Sequence, residues 1–529
     1  MQRTLFSRIA MVALVPFAFA TATRDCAAQV NGSVDTNFGS LNYWAVFDPV
    51  GQGDTNISGN VTELLPLPDG KVVAAGTCTF ATNAVSHACL YRWTAAGFPD
   101  TSFGSGGVSL TFSGALQGVR AARRGNGAYV LAGVCNHPSF GYGLCAAAVN
   151  ANGGGFDTSF GGTGQTFIPL PSGYASADFS SIAIQPDGKI LIGATCYVGA
   201  GLTGNSAVCV TRLTTAAVFD TSFGTNNWSI TTPGPGDALR KLIVLPDGRY
   251  FALAQCAANS VTTSYLCSGL FFSNGSFQRT LVTDVANRFE QLIDARVLGS
   301  QLSLQWSTND NVSIANSRLH AARREAYTPS GAFDTSFGGY PSSGYAGDIN
   351  QDASNDGQPG TGVILRDGSF LYFGFCNFLS PTPVLCTTQL TANGVLDTSY
   401  GVGGRIEYGG VLAPWAAVSL SSLQMYTMAE APNGKILVAG YCTDTGSAAR
   451  PCVLRINGSP QTAPTCTMDI DGDGVINATT DGLILLRAML GISGANALAN
   501  AVGTGASRST WPQVREYLFD QCRMPVPVL

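Results

Sequence analysis

The chain has 529 residues, 64 of them glycine, with 12% charged side chains and a formal net charge of −5. A glycine-rich, mildly acidic chain lacks the basic face that nucleic-acid binding requires, which excludes that class of partner. Three histidines (His87, His137 and His320) and no Gly-x-Ser-x-Gly, His-Glu-x-x-His or phosphate-cradling Gly-x-x-x-x-Gly-Lys leave few residues for enzymatic chemistry.

At the N-terminus, Arg3 and Arg8 precede an apolar stretch over residues 9–20, and Cys26-Ala-Ala28 gives a small-x-small cleavage signal. Residues 1–28 therefore read as a signal peptide, with Gln29 opening the mature chain. The stretch falls short of the roughly 20 residues that cross a bilayer, and no other segment resembles a transmembrane helix. The expected location is secreted, or periplasmic, or on the outer cell surface.

Residues 29–460 repeat. A marker appears as Asp35-Thr-Asn-Phe-Gly39, Asp100-Thr-Ser-Phe-Gly104, Asp157-Thr-Ser-Phe-Gly161, Asp220-Thr-Ser-Phe-Gly224, Asp334-Thr-Ser-Phe-Gly338 and Asp397-Thr-Ser-Tyr-Gly401. Successive spacings are 65, 57, 63, 114 and 63 residues, and the midpoint of the double gap holds Asn274-Gly-Ser-Phe277, read as a worn copy. Seven units result. A second marker, Pro68-Asp-Gly70 in the first unit and Pro186-Asp-Gly188 in the third, supplies the positive φ of a tight hairpin turn. About four strands per 57–65 residues matches a propeller blade. The marker Asp and Thr read as turn caps rather than metal ligands, with Phe plugging between neighbours.

Cysteines keep step with the repeat as Cys78/Cys89, Cys135/Cys145, Cys196/Cys209, Cys256/Cys267, Cys376/Cys386 and Cys442/Cys452. In each couple one cysteine ends an apolar run and its mate begins the next, so each reads as a disulfide at the mouth of an antiparallel hairpin. Cys466 and Cys522 form a wider seventh couple. The unit holding Leu302-Ser-Leu-Gln-Trp306 and Arg318-Leu-His320 has none. Matched couples point to an oxidising compartment. The last unit ends at residue 459 without a marker, and the mature N-terminus begins with one, followed by Tyr43-Trp-Ala-Val-Phe47. The prediction is an all-β, seven-bladed propeller closed by its N-terminal strand, which leaves no open sheet edge.

These markers resemble the bacterial delta-60 repeat family, over residues 30–460. The resemblance implies a secreted or surface-associated propeller and assigns no activity.

Residues 461–529 read as a small α-helical calcium-loop module. Asp469, Asp471 and Asp473 occupy alternate positions 1, 3 and 5 of a loop, Gly474 allows its sharp turn, Val475 offers a carbonyl, and Asn477 stands ninth. Such a loop wraps Ca²⁺ in oxygens. The closing carboxylate, Asp481, stands thirteenth, one residue later than the EF-hand spacing. With the Leu-Leu-Arg-x-x-Leu-Gly run that follows, this segment resembles the calcium-binding repeat of type I dockerins. Residues 492–529 offer one helix, over 511–522, and no second Asp-rich loop, which argues against a cohesin partner.

The leading reading is a non-enzymatic extracellular propeller that binds a surface, glycan or protein. Two alternatives stand beside it: a glycan-active enzyme with paired acidic residues on one face, and recruitment of the propeller to a scaffold by the C-terminal module. Carboxylates outside the markers, Asp237, Glu290, Asp294 and Glu407, show no recurrent pairing.

Overall fold

A computed structural model describes residues 32–39, 44–47, 57–80, 83–113, 115–231, 237–257, 264–283, 289–299, 301–309, 318–325, 334, 337, 345–346, 358–376, 384–408, 423–443, 449–458, 467–518 and 522. The signal peptide and the linker at 460–464 lie outside these residues. No helix among the described residues is long and apolar enough to cross a membrane.

The protein is an all-β, seven-bladed propeller with three short helices after it. Blade three gives the pattern: Ser176–Ile184, Ile190–Gly199, Thr203–Leu213 and Trp228–Thr231 pair antiparallel in that order. Blade one runs to Val108–Ser113, with its first strand split into Ile57–Gly59 and Glu63–Pro66. Blade two runs from Ala115–Arg123 to Gln165–Ile168, and blade four from Ala238–Val244 to Phe277–Thr283. Blade five spans Phe289–Leu298 to Tyr345–Ala346, and blade six Gln358–Ile364 to Arg405–Glu407. Blade seven takes Leu423–Glu430, Ile436–Thr443 and Ala449–Ile456, and Trp44–Val46 pairs with its last strand, Trp44 opposite Leu454. The first strand of every blade touches the first strands of both neighbours, seven and one included. Between each neighbouring pair lies a buried apolar cluster, such as Phe47, Tyr91, Trp93 and Val453 at the seam of seven and one. Burying such side chains stabilises by roughly 1.5–3 kcal/mol each, and the stabilisation is shared around the ring.

The two sequence markers meet in blade one. In blade one, Gly70 takes φ +82° and the Asp69 carboxylate caps the amide of Lys71 at 3.2 Å. Lys71 Nζ then reaches Asp100 Oδ2 at 3.0 Å, where Arg92 Nε also pairs at 2.9 Å. The other oxygen of Asp100 accepts from the Ser102 amide and hydroxyl, at 3.1 and 2.6 Å. Arg92 lies over the Phe103 ring at 4.5 Å and donates to the Ala151 carbonyl of the next blade. The same clamp joins blades two and three through Arg124, three and four through Arg212, five and six through Arg323, and seven and one through Arg455. The marker is therefore a stitch between blades, with its Asp capping the turn as expected.

Asn274-Gly-Ser-Phe277 is not a marker. Phe272 donates to Ser276 O and Gly275 to Phe272 O, the hydrogen bonds that residues 94–98 make in the hairpin turn before the marker of blade one. Blade four passes from this turn straight into its outer strand. The missing unit is blade five, whose marker is Asp334. The halved spacing is arithmetic without structural content, although the count of seven stands.

Five of the seven expected couples form disulfides: Cys78–Cys89, Cys135–Cys145, Cys196–Cys209, Cys256–Cys267 and Cys442–Cys452. Each is diagonal across the hairpin: Cys196 faces Ala207 while Cys209 faces Ala194. The pairing expected for Cys386 in blade six is not among these five. Cys386 is buried, faces Gly374 and is disulfide-bonded, but the side chain of its expected mate, Cys376, lies outside the described residues. Cys522 is likewise disulfide-bonded, and the whole of Cys466 lies outside the described residues. Blade five has no cysteine, and in its register His320 faces Trp306 as Cys209 faces Ala194. The two rings stack at 5.4 Å where other blades are cross-linked.

Candidate functional site

The first strands, which meet one another around the ring, carry a recurring irregularity. In blades three to seven the pairing of first and second strands slips by one residue, leaving out Ser180, Arg240, Ile293, Gly360 and Tyr426. Such bulges re-aim side chains beside functional sites. Sequence reading missed them, because a bulge leaves no compositional mark.

Charged groups of these strands meet around the axis. Arg120 Nε lies 3.7 Å from Glu63 Oε2, and Lys241 Nζ pairs with Asp294 Oδ1 at 2.5 Å. Asp294 Oδ2 also accepts from the Ile364 amide at 2.8 Å. Burial pushes the Glu63 carboxyl up against the pull of Arg120 and Lys241, with Asp294 adding repulsion. Glu63 thus senses charges from blades two, four and five. It keeps 35% of its side chain accessible although protein surrounds it, as a group lining a narrow channel does. Arg296 and Glu430 pair at 3.6 Å between blades five and seven.

Asp178 differs. Burial raises its pKa, Arg240 and Arg120 oppose the rise, and among the described residues no hydrogen bond or ion pair reaches its carboxylate. Tyr197, near Asp178 and Arg240, is itself raised chiefly by burial. Of the carboxylates singled out from the sequence, Asp294 joins this network, Asp237 is buried, Glu407 is exposed, and the side chain of Glu290 lies outside the described residues. His87, His137 and His320 sit in blades one, two and five and share no site.

In the C-terminal module, Asp469, Asp471 and Asp473 bring carboxylate oxygens within 4.8 Å of one another. Gly472 and Gly474, at φ +74° and +87°, permit the turn. Asp481 opens helix α1 (Asp481–Met489) and is buried. Its Oδ1 accepts from the amides of Ile470 and Asp471, and its Oδ2 from the amide of Asn477 and the hydroxyl of Thr480. Burial raises the Asp481 carboxyl, but these donors outweigh it and hold it below the usual range. Its oxygens close the loop through the backbone. Asn477 caps Thr479 through its Oδ1, and the Val475 side chain is exposed. Two further helices follow, α2 (Gly494–Leu498) and α3 (Trp511–Glu516), the last continuing helically over 517–518, while the expected run to 522 crosses residues outside the described ones. Between them, Gly503 donates to Asp471 Oδ2 at 2.6 Å, and Arg508 donates to the Asp469 and Ile470 carbonyls while stacking on Tyr517. A lone arginine 35 residues beyond the loop gives no sequence signal of that role.

A family model described as a domain of unknown function (DUF5122) beta-propeller matches residues 67–103, 185–223 and 431–459. The first two stretches each run from the hairpin turn to the marker Phe, and the third covers the last two strands of blade seven. No curated protein matches the sequence. Among solved structures, the chain is similar to the polysaccharide lyase Uly1 at 12% identity, covering 64% of this chain and 89% of that one, TM-score 0.37. It is similar to a prolyl endopeptidase at 13% identity, covering 77% of this chain and 48% of that one, TM-score 0.41. An α-L-arabinofuranosidase, Arb93A from Fusarium graminearum, shares 9% identity over 54% of this chain and 95% of its own, TM-score 0.29. Likenesses of this degree carry no argument about activity.

Proposed function

We propose that the protein is a secreted propeller that binds an extracellular surface, glycan or protein without transforming it, latched by its N-terminal strand and carrying a Ca²⁺-stiffened C-terminal module. The observation that carries the reading is the pairing of the axial carboxylates: Glu63 with Arg120, Asp294 with Lys241, and Glu430 with Arg296. Each axial carboxylate faces a cation, and a charge-balanced lining offers a ligand fixed donors and acceptors. The residues that repeat from blade to blade are spent on stitches. The arginine-flanked apolar stretch at the N-terminus and the five disulfides support secretion.

For the metal, Asp469, Asp471 and Asp473 supply the hard oxygen donors that Ca²⁺ takes, and the Val475 carbonyl completes the proposed set. Bound Ca²⁺ would neutralise the repulsion among the three carboxylates. Asn477 and Asp481 are the remaining ligands expected from the sequence, and the Asp481 carboxylate also holds the loop to helix α1 through the Ile470 and Asp471 amides.

One observation favours an enzyme instead. Asp178, with its raised pKa and neighbouring Arg240 and Tyr197, has the character of a general acid. A screen of the full chain against a glycan array and a polysaccharide-hydrolysis panel, with and without Ca²⁺, separates the two. Binding without turnover supports the first reading. Turnover abolished by Asp178→Asn replaces it.

A further inference from the structure

Blade three carries two asparagines where blades one and six carry glycine. The turn from marker to outer strand reads Gly104-Ser-Gly-Gly107 in blade one and Gly401-Val-Gly-Gly404 in blade six. Its last two residues take φ +64° and +97° in the first and +62° and +89° in the second. Blade three reads Gly224-Thr-Asn-Asn227, and Asn226 and Asn227 adopt the same left-handed turn at +52° and +69°. Glycine takes this conformation freely, and asparagine is among the few other residues that visit it. In blade three the turn therefore presents two carboxamides where blades one and six present none.

Both carboxamides line a cleft of 650 Å³ on the rim, away from the axis. It crosses the outer strand of blade three, from residues 169–172 after blade two to the start of the outer strand of blade four. Phe277 begins that strand, pairing with Phe271 as Phe156 is bridged to Val149 and Leu396 to Leu390. In blades two and six the marker loop folds back over that side chain, bringing Gly164 onto Phe156 and Gly404 onto Leu396. Blade four has no marker loop, so Phe277 stays 50% exposed and the cleft stays open.

The lining chemistry is narrow. Phe219, Trp228 and Phe277 supply aromatic surface, Asn226, Asn227 and Asn274 supply amides, and among the described residues no charged side chain lines the cleft. An ion entering it would lose water with no counter-charge, and a purely apolar ligand would strand the amides. A sugar ring satisfies both demands: its C–H face lies on an aromatic ring, while its hydroxyls donate and accept as a carboxamide does. The volume suits a small-molecule site.

We propose that this rim cleft binds a short, neutral oligosaccharide, with Asn226 and Asn227 reading its hydroxyls and Phe277 bearing its ring. The assignment gives the binding function proposed above a ligand class and a place, and rests on that reading. Calorimetric titration of the full chain with cellotetraose, xylotetraose, mannotetraose and N-acetylchitotetraose tests it, with tetragalacturonate as the charged control. At least one neutral tetrasaccharide should bind and tetragalacturonate should not. The double variant Asn226→Gly/Asn227→Gly should weaken binding tenfold or more at an unchanged or raised melting temperature, since glycine suits the turn. Phe277→Ala, at an exposed position, should weaken it similarly. Binding untouched by both variants, or preference for tetragalacturonate, overturns the rim site while leaving a binding propeller. Binding abolished by Asp178→Asn and not by the asparagine variant moves the site to the axis and overturns the cleft. No binding to any of the neutral tetrasaccharides also overturns it.

Discussion

Asp35 and Arg455 stand 420 positions apart in sequence, and Arg455 Nε lies 2.9 Å from Asp35 Oδ2. The same guanidinium lies over the Phe38 ring at 4.2 Å and donates to the Ala95 carbonyl of blade one at 2.7 Å. One arginine thus ties the N-terminal segment, the last full strand and the first blade together. Lys435 is the second cation on Asp35, at 3.3 Å.

Arg455→Met should accordingly destabilise the protein by about 3 kcal/mol, because it removes from the buried Asp35 carboxylate the guanidinium that also reaches blade one. Adding Asp35→Asn should cost less than the two single changes combined, since no charge is then stranded. Urea unfolding of the four proteins measures the coupling. Additive effects would mean that the pair does not latch the ring.

How far the sequence anticipates this depends on the kind of contact. Asp-Gly turns and paired cysteines act over a few residues, so their spacing is legible. The arginine partners are visible at the ends of third strands, as Arg92, Arg212, Arg323 and Arg455, but nothing local links them to an Asp eight or more residues away. Blade two shows why: its clamp arginine is Arg124, from the first hairpin, at 2.7 Å from Asp157. Asn274 misleads because hairpin turns and marker turns both demand glycine and are followed by Phe. The bulges at Arg240 and Tyr426 depend on cross-strand register and stay invisible.

Acid should unfasten the stitches. Burial raises the Asp100 carboxyl, but the Ser102 hydroxyl, Lys71, the Ser102 amide and Arg92 outweigh it and hold it at about 2. Asp35, Asp157 and Asp220 are held low in the same way. A carboxyl depressed on folding stabilises above its unfolded pKa and loses that contribution as pH falls through the folded value. For Asp100 the loss runs from about pH 4 to about pH 2 and is of order 2 kcal/mol. Melting temperature should be level from pH 7 to about 5 and fall below 4, and Asp100→Asn should flatten that fall. A wild-type curve that stays level to pH 2 would contradict the account.

Removing a bridge should weaken a blade without opening the propeller. Cys196 and Cys209 are 13 residues apart, so the bridge restricts a short loop and contributes about 2–3 kcal/mol or less. Cys196→Ser with Cys209→Ser should lower the melting temperature by several degrees and keep the far-ultraviolet spectrum. Unreduced peptide mapping should recover the five pairings and find Cys376 as the mate of Cys386. Bridges between blades would refute the hairpin assignment.

The seam between blades four and five should open first. Blade four has no marker, among the described residues no marker-type arginine clamp crosses from it to blade five, and blade five has no disulfide across its hairpin. Amide exchange should be fastest, among the inner strands, at Phe289–Leu298 and Gln301–Asn309. Placing a bridge at Thr308→Cys with His320→Cys, the positions that match Cys256 and Cys267 in register, should slow it. Faster exchange in blade three would place the weak point elsewhere.

Calcium should act on the module alone. Asp469, Asp471 and Asp473 repel one another within 4.8 Å, and Asp471 is fully buried with the amide of Gly503, from between helices α2 and α3, on its Oδ2. A cation among them would relieve the repulsion and fix residues 503–508 over the loop. A weak extracellular-type site of about 10⁻⁴–10⁻³ M is sufficient where calcium is plentiful, and Mg²⁺, which wants a tighter octahedron, should substitute poorly. Asp471→Ala should abolish the heat of calcium binding to the full chain and leave the propeller's unfolding transition in place. Asp481→Asn should behave differently: it keeps an oxygen for the Ile470 and Asp471 amides, so calcium affinity should fall only modestly while helix α1 loosens. If Asp481→Asn removes binding as completely as Asp471→Ala, Asp481 is a direct ligand in the bound state and not only the loop's anchor. If neither variant changes the titration, the metal lies elsewhere.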